Sequence, residues 1–462
     1  MIARRLDPAP EVPDALRAFA GLPYPVLFDS AKAGPTGRWS FLSADPVAVV
    51  ERPRVGPGET GWLDELRRWS RVFAGAPALE GRPPFAGGPA GVLSYDLGQA
   101  FERLARPAVD EFALPALCVG VYDWVIAWDH AENVCTLLST GVRPDATVDR
   151  THAERRADFA AQLLSPPSPS PAKPTRHPTA LRSPTHAVPD FPGVTSNFTP
   201  AGFEAAVEAV RQHIAAGDIF QANLAQRLLA PAARPPVEQY LRLRGVNAAP
   251  MAGYFDGGDW QLLSASPERF VELSPGGRIE TRPIKGTLKR PDRPEADLYA
   301  RDALRESEKD RAENVMIVDL MRNDLSRVCE TGSVAVPRLC EIETYETVQH
   351  LVSSVTGQLR EGLDCWDLIA ATFPGGSITG CPKIRAMDVI TSLEGVARGP
   401  YCGSLFYASG DGRLDASILI RSMVRRGGWL QMPVGGGITY ASDPRSEYRE
   451  TLVKAEAMVR SL

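Results

Sequence analysis

Short strand-like runs joined by tight turns constrain this chain more than any other feature. Gly253–Phe255, Arg269–Leu273, Leu405–Tyr407, Ser417–Val424 and Trp429–Val434 read as strands, as do Val92–Tyr95 and Cys118–Trp128 nearer the N-terminus. Between them Phe203–Ala216, Pro236–Leu243 and Asp297–Arg311 carry helical patterns. Strands in succession, with helices set apart from them, point to an α+β fold of antiparallel sheets with helices packed outside.

The 462 residues exceed a typical single domain, so one large unit or two intimately joined ones are expected. The clearest break is the Pro/Ser-rich stretch from Ser165 to Pro178, continuing in similar style to about Pro192. Such composition predicts an extended, poorly packed linker or surface excursion. The expected organisation is therefore an N-terminal part over 1–164, a linker over 165–195 and a larger unit over 196–462.

A chain that is 44% hydrophobic and 23% charged has the makings of an ample core. No apolar run reaches membrane-spanning length, and Arg4, Arg5, Asp7 and Glu11 interrupt the start where a signal peptide would be apolar. Seven cysteines without a Cys-x-x-Cys pair read as buried thiols of a reducing compartment, so a cytoplasmic location is expected. A net charge of −5 with no basic-aromatic stripe argues against nucleic-acid binding.

Four clusters carry chemistry. Lys285 lies in Thr281-Arg-Pro-Ile-Lys-Gly-Thr287, held between a proline and a glycine, as suits a positioned amine; a solvated turn lysine is the plain alternative. In Lys309–Asp324, Asp310 and Glu313 share a helix face at i, i+3. Phe373-Pro-Gly-Gly-Ser-Ile-Thr-Gly-Cys-Pro-Lys383 is a glycine-rich loop ahead of a helix expected over Pro382–Leu393, a junction that can offer backbone N–H groups to an anion. After the triplet Gly435–Gly437, a helix opens at Ser442 or Asp443 with Pro444 in its first turn. It places Glu447, Glu450 and Lys454 on one stripe. That stripe suits an ordinary solvated surface with an ion pair, or Mg²⁺ held by one carboxylate here and one from the Glu313 helix. Neither a P-loop nor a Gly-x-Gly-x-x-Gly turn is present, which argues against ATP and NAD.

In this order, with Gly217–Arg227, Ser264-Ala-Ser-Pro-Glu-Arg-Phe270, His350–Ser353 and Ile418–Arg421, these segments resemble the chorismate-utilising enzymes from about Phe203 onward. Pro-Ile-Lys-Gly-Thr is similar to the aminodeoxychorismate branch, where anthranilate synthases usually read Pro-Ile-Ala-Gly-Thr. Gln221 stands where isochorismate and salicylate synthases carry a water-activating lysine, and a glutamine cannot act as a general base. Pro84–Gly98 resembles the same branch. The resemblance implies one two-layer β structure with the site in a cleft.

It further implies amination of chorismate at C4 with ammonia to give 4-amino-4-deoxychorismate, a precursor of p-aminobenzoate and folate, with an anthranilate synthase component I as the alternative. Lys285 would be the nucleophile and Glu268 the general acid. Mg²⁺ would be held by Glu313 and Glu450, supported by Asp310 and Glu447. Gly286, Thr287, His350, Ser377, Tyr401, Arg421, Gly435, Gly437 and Lys454 would contact the substrate. The chain has no Gly-x-Cys-x-Gly glutaminase elbow, so a separate glutamine amidotransferase subunit is expected as ammonia donor, forming a heterodimer. Val26–Ser30 with Gly37–Leu42 resembles a tryptophan-binding segment of relatives, with Asn247–Pro250 as its other wall. Asp29, Ser30 and Pro250 are the candidate contacts, and an ordinary edge strand and turn is the alternative.

Overall fold

A computed structural model describes residues 1–32, 37–74, 83–164, 179–290, 293–344 and 348–462. Among the described residues the strands form two sheets, one of 13 strands and one of ten, and the strand pairings within them are antiparallel. The inner faces meet through Val26, Phe41, Val92, Cys118, Leu262, Leu405, Tyr407 and Val424, all buried. Helices cover the outer faces. Val12–Phe19, Arg150–Leu163, Pro236–Val246 and Pro444–Arg460 pack on the larger sheet, and Gly61–Ala74, Glu308–Ser326 and Cys365–Thr372 on the smaller. The expected two-layer antiparallel core with outer helices is observed. Burial on both faces is why Leu117–Tyr122 carries no charged residue and Trp124–Asp129 none before its last, rather than alternating.

Both ends of the chain supply both sheets. Strands Gly88–Leu93 and Leu117–Tyr122 lie in the smaller sheet beside Ser404–Ala408, whereas Val26–Asp29 pairs with Met251–Asp256 in the larger. The 165–178 part of the expected linker lies outside the described residues. In its remainder most residues are exposed or half-buried, with Val188 and Val194 buried, and Thr195–Ser196 pairs with the strand Gln221–Pro231.

Several expected elements are broken where the chain passes from one sheet to the other. Cys118–Trp128 is not one strand but two, parted at Asp123, whose buried carboxylate is held by Arg156. Ser417–Val424 is likewise split into Leu414–Ser417 and Ser422–Arg426, and the connecting Arg421 takes a positive φ of 53°. Trp260–Ser266 and Arg269–Leu273 change sheets across Pro267-Glu268. Two of these crossings therefore deliver Glu268 and Arg421 to the same end of the sandwich.

Helix boundaries also move. Asp297–Arg311 is two helices, Pro294–Glu306 and Glu308–Ser326, because Ser307 turns extended and caps the second by accepting from Asp310 N–H. Pro382 is the N-cap of Lys383–Glu394 rather than its first helical residue. The residues before it do not form an anion cradle, since Gly380-Cys381 pairs as a strand with Gln221-Ala222 and Lys383 is ion-paired to Asp324. Asp443 caps the last helix with Pro444 in its first turn, as expected. The strand Trp429–Ile438 runs on through all three glycines of the triplet.

Candidate active site

A cavity of about 740 Å³ opens at the end of the sandwich. Its lining brings together Lys285, Glu268, Gly286, His350, Ser377, Tyr401, Arg421, Gly435, Gly437, Lys454, Asp310, Glu313, Glu447 and Glu450. The backbone of Thr287 pairs opposite His350, and its side chain lies outside the described residues.

Lys285 is aimed by a local irregularity. The strand Ile284–Lys289 pairs with Val348–Gln358, but the register slips between Lys285 and Thr287. Gly286 occupies the slip with φ +72°, a conformation an L side chain adopts only under strain. A Cβ there would also meet Leu304 Cδ1 at 2.7 Å. The Lys285 ammonium reaches Ser377 O at 3.5 Å, and its charge acts on Glu268, Glu313 and Glu450.

Glu268, 5% exposed, accepts a hydrogen bond from the Ser377 hydroxyl at 2.9 Å. Burial pushes its carboxyl up to about 7, against the smaller opposing pulls of Ser377, Lys285 and the Ile284 N–H. It can therefore carry a proton near neutrality and release it. His350 is pushed the other way, down to about 4, by burial first and then by the positive charges of Lys32 and Arg421. Its imidazole is neutral at pH 7.

The opposite wall is acidic. Glu313 and Glu447 are buried, and Glu313 Oε1 is buried without a hydrogen-bond partner. Burial raises the Glu313 carboxyl, and neighbouring Glu447 and Asp310 add to that while Lys285 and Lys309 oppose it. For Glu450 burial acts upward, but Lys454, Lys309 and Lys285 together outweigh it and hold the carboxyl below its ordinary value. Lys454 bonds Glu450 Oε1 at 2.7 Å and the Gly435 carbonyl at 2.8 Å. Of the two readings of the Glu447–Glu450–Lys454 stripe, the solvated surface is ruled out for Glu447, whose side chain is 4% exposed.

The triplet explains itself by close approach. A Cβ on Gly435 would collide with Leu224 O and lie 2.8 Å from Ala225 Cα of the neighbouring strand, and one on Gly437 would strike the Gln221 amide. Strand residues direct both backbone groups to alternate edges. The Gly435 carbonyl, bonded to Lys454, faces the edge that has no strand partner beyond Gln431 among the described residues. Gly435 and Gly437 N–H groups therefore both point from that open edge.

Three contributors escaped the sequence reading. Asn223 lines the cavity and donates to Ile378 O at 3.1 Å. Lys309 pairs with Glu447 at 3.1 Å; its place four residues before Glu313 was the available signal. Arg398, buried behind the wall, bonds Glu394, Ile378 O and Asn223 O, and its guanidinium lies 4.6 Å from the Tyr95 ring centroid and 5.7 Å from that of Tyr401. Its pairing with Glu394, four residues earlier on the sequence, was visible only as a spacing.

A second, separate cavity of about 320 Å³ is lined by Asp29, Ser30 and Pro250 together with Phe28, Trp39, Phe41 and Tyr407. The Asp29 carboxylate is turned to Arg244 at 2.6 Å and the Tyr240 hydroxyl at 2.8 Å.

A family model described as chorismate binding enzyme matches residues 36–460. The chain belongs to the chorismate-binding enzymes. It is 38% identical to the aminodeoxychorismate synthase component 1 of Salmonella typhimurium over 96% of this chain and 93% of that protein. It is also 38% identical to the anthranilate synthase component 1 of Streptomyces coelicolor, over 93% and 82%. Among solved structures, the anthranilate synthase component I from Streptococcus pneumoniae superposes with a TM-score of 0.77 at 31% identity, covering 93% of each chain. Overall identity thus places the chain among chorismate-binding enzymes without separating the two branches, and the separation falls to particular residues such as Lys285. Among the described residues no helix is long and apolar enough to cross a membrane.

Proposed function

We propose that this enzyme replaces the C4 hydroxyl of chorismate by an amino group from ammonia, forming 4-amino-4-deoxychorismate. The observation that carries the reading is the placement of the Lys285 amine in the cavity beside a buried carboxyl that titrates near neutrality. Anthranilate synthases usually have alanine at the lysine position and so lack that amine.

Having given up its ammonium proton to solvent, Lys285 Nζ adds to C2 of the ring. The two ring double bonds shift, the C4–O bond breaks, and the hydroxyl leaves as water with the proton of Glu268. Ammonia then forms the C4–N bond, the double bonds return, the C2–Nζ bond breaks, and a proton from the new ammonium group returns to Glu268. Two displacements replace one difficult step. Ser377 orients the acid by its hydrogen bond. Arg421, Lys454, Tyr401 and the open-edge N–H groups of Gly435 and Gly437 offer donors for the two substrate carboxylates, and neutral His350 can hydrogen-bond a ring substituent without adding charge.

The acidic wall fits Mg²⁺. Its donors are hard carboxylate oxygens, and Glu313 Oε1 is buried without a partner. Among the described residues no three ligating groups form a closed cage, but Mg²⁺ needs only one or two protein carboxylates and completes its shell with water and an anionic ligand. Glu313 and Glu450 would hold it, with Glu447 and Asp310 behind them. Once bound it would neutralise and orient a substrate carboxylate.

Ammonia is scarce as the free base at neutral pH, so a glutamine amidotransferase subunit would supply it; the name component 1 of the relatives is consistent with a second component. The seven cysteines are free thiols, which fits a reducing, cytoplasmic setting. The smaller cavity, with its aromatic wall, would take tryptophan.

Incubation with chorismate, ammonium and Mg²⁺, followed by mass analysis, tests the reading. Aminodeoxychorismate is expected. Anthranilate with pyruvate would move the chain to the anthranilate branch.

A further inference from the structure

We infer that Lys309 is a built-in counter-ion of the acidic wall: its ammonium holds Glu447 while the divalent cation is absent, and its charge opposes the cation's binding. The inference rests on the metal reading of that wall.

Lys309 sits in the first turn of the Glu308–Ser326 helix, four residues before Glu313 and therefore on the same face. Its Nζ lies 3.1 Å from Glu447 Oε1, on a helix 138 residues away in the chain. The two partners differ in freedom. The Glu447 side chain is 4% exposed and fixed, whereas that of Lys309 is 47% exposed and has an open path toward solvent.

The wall carries four carboxylates, Asp310, Glu313, Glu447 and Glu450, in one cavity. Without cations they would repel one another strongly in a partly dry site. Lys454 relieves Glu450 and is anchored on its other side by the Gly435 carbonyl, so it remains in place. Lys309 relieves Glu447. Glu313 keeps an unpartnered oxygen, the natural first landing point for a divalent ion. A cation seated there meets the Lys309 charge held on Glu447 Oε1, and the two like charges repel. The lysine charge therefore opposes metal binding, in exchange for stability of the metal-free protein.

The test is a Mn²⁺ titration of the full chain without chorismate, read by calorimetry and by the electron-spin-resonance signal of free Mn²⁺. Lys309→Met should tighten Mn²⁺ binding roughly tenfold, and Lys309→Arg, which keeps the charge, should leave it at the wild-type value or weaker. The Mn²⁺-induced rise in melting temperature should be larger for the methionine variant, whose half-exposed site makes misfolding easy to detect by the same melt. Unchanged or weaker Mn²⁺ binding by folded Lys309→Met overturns the inference. Failure of the wild-type chain itself to bind Mn²⁺ would instead overturn the metal reading, and the counter-ion role with it.

Discussion

The Ser377 hydroxyl donates to Glu268 Oε1 at 2.9 Å, joining the short helical turn Gly376–Ile378 to the segment on which the chain changes sheets. That bond favours the ionised carboxylate, while burial favours the acid and prevails. Ser377→Ala should therefore raise the Glu268 pKa by about one unit and move the alkaline limb of the rate–pH profile upward by the same amount. Turnover of chorismate with ammonium from pH 6 to 9 measures it; an unmoved limb would show that another group sets it.

Glu268 and His350 should impose opposite slopes on stability against pH. Glu268 has a folded pKa of about 7, raised above its usual 4.5, so the folded state binds the extra proton. Its contribution is present below pH 4.5 and is lost as pH rises through 7, by about 3 kcal/mol. His350 has a folded pKa of about 4, lowered from 6.5, so the unfolded state binds the extra proton. Its contribution is present above pH 6.5 and is lost, also by about 3 kcal/mol, as pH falls through 4. Denaturant melts between pH 4 and 8 should show Glu268→Gln steepening the rise of stability with pH, and His350→Gln reversing toward a fall. Parallel curves for both variants and the wild type would contradict the assignments.

Replacing Lys285 by alanine should lower amination at C4 by a hundredfold or more, roughly the low end for a lost covalent or acid–base group. Gly286→Ala should act on the same amine indirectly. A positive φ and the contact with Leu304 oppose the methyl group, so about 1–3 kcal/mol of stability and most of the activity should be lost together. Full activity in Lys285→Ala would exclude covalent participation.

Arg398 should matter without touching substrate. It ties Glu394, Ile378 and Asn223 from behind the cavity, and removing one partner of such a buried pair typically costs about 3–5 kcal/mol. Arg398→Ala should lose about that much in a denaturant melt. Arg398→Lys should recover part of the stability but little kcat, because a single ammonium cannot hold three segments at once.

Tryptophan should raise the melting temperature if the smaller cavity takes it, and Phe41→Ala should diminish the shift. No shift at saturating tryptophan would remove that ligand.

Where chemistry is local, the letters alone determined a great deal. Arg269–Leu273 was bounded correctly because Phe270, Val271 and Leu273 and the turn residues on either side lie within a few positions of one another. Asp443 and Pro444 start the last helix through a cap made within four residues. Gly286 beside Lys285 marks its own bulge, since only glycine tolerates that φ cheaply. The motifs of the family likewise named most of the charged and polar side chains that line the large cavity.

Tertiary structure decided what depends on partners distant in sequence. An apolar run such as Cys118–Trp128 cannot reveal that its halves belong to different sheets, because either sheet would bury it equally well. The strand expected to stop at Val434 continues through the glycine triplet because Leu224 and Ala225 of the neighbouring strand lie against it. Glu268 acquires its acidity near neutrality from desolvation, and desolvation belongs to the assembled cavity, not to any residue. Lys309 meets Glu447 for the same reason: spacing along one helix sets a face, but only packing sets what that face confronts.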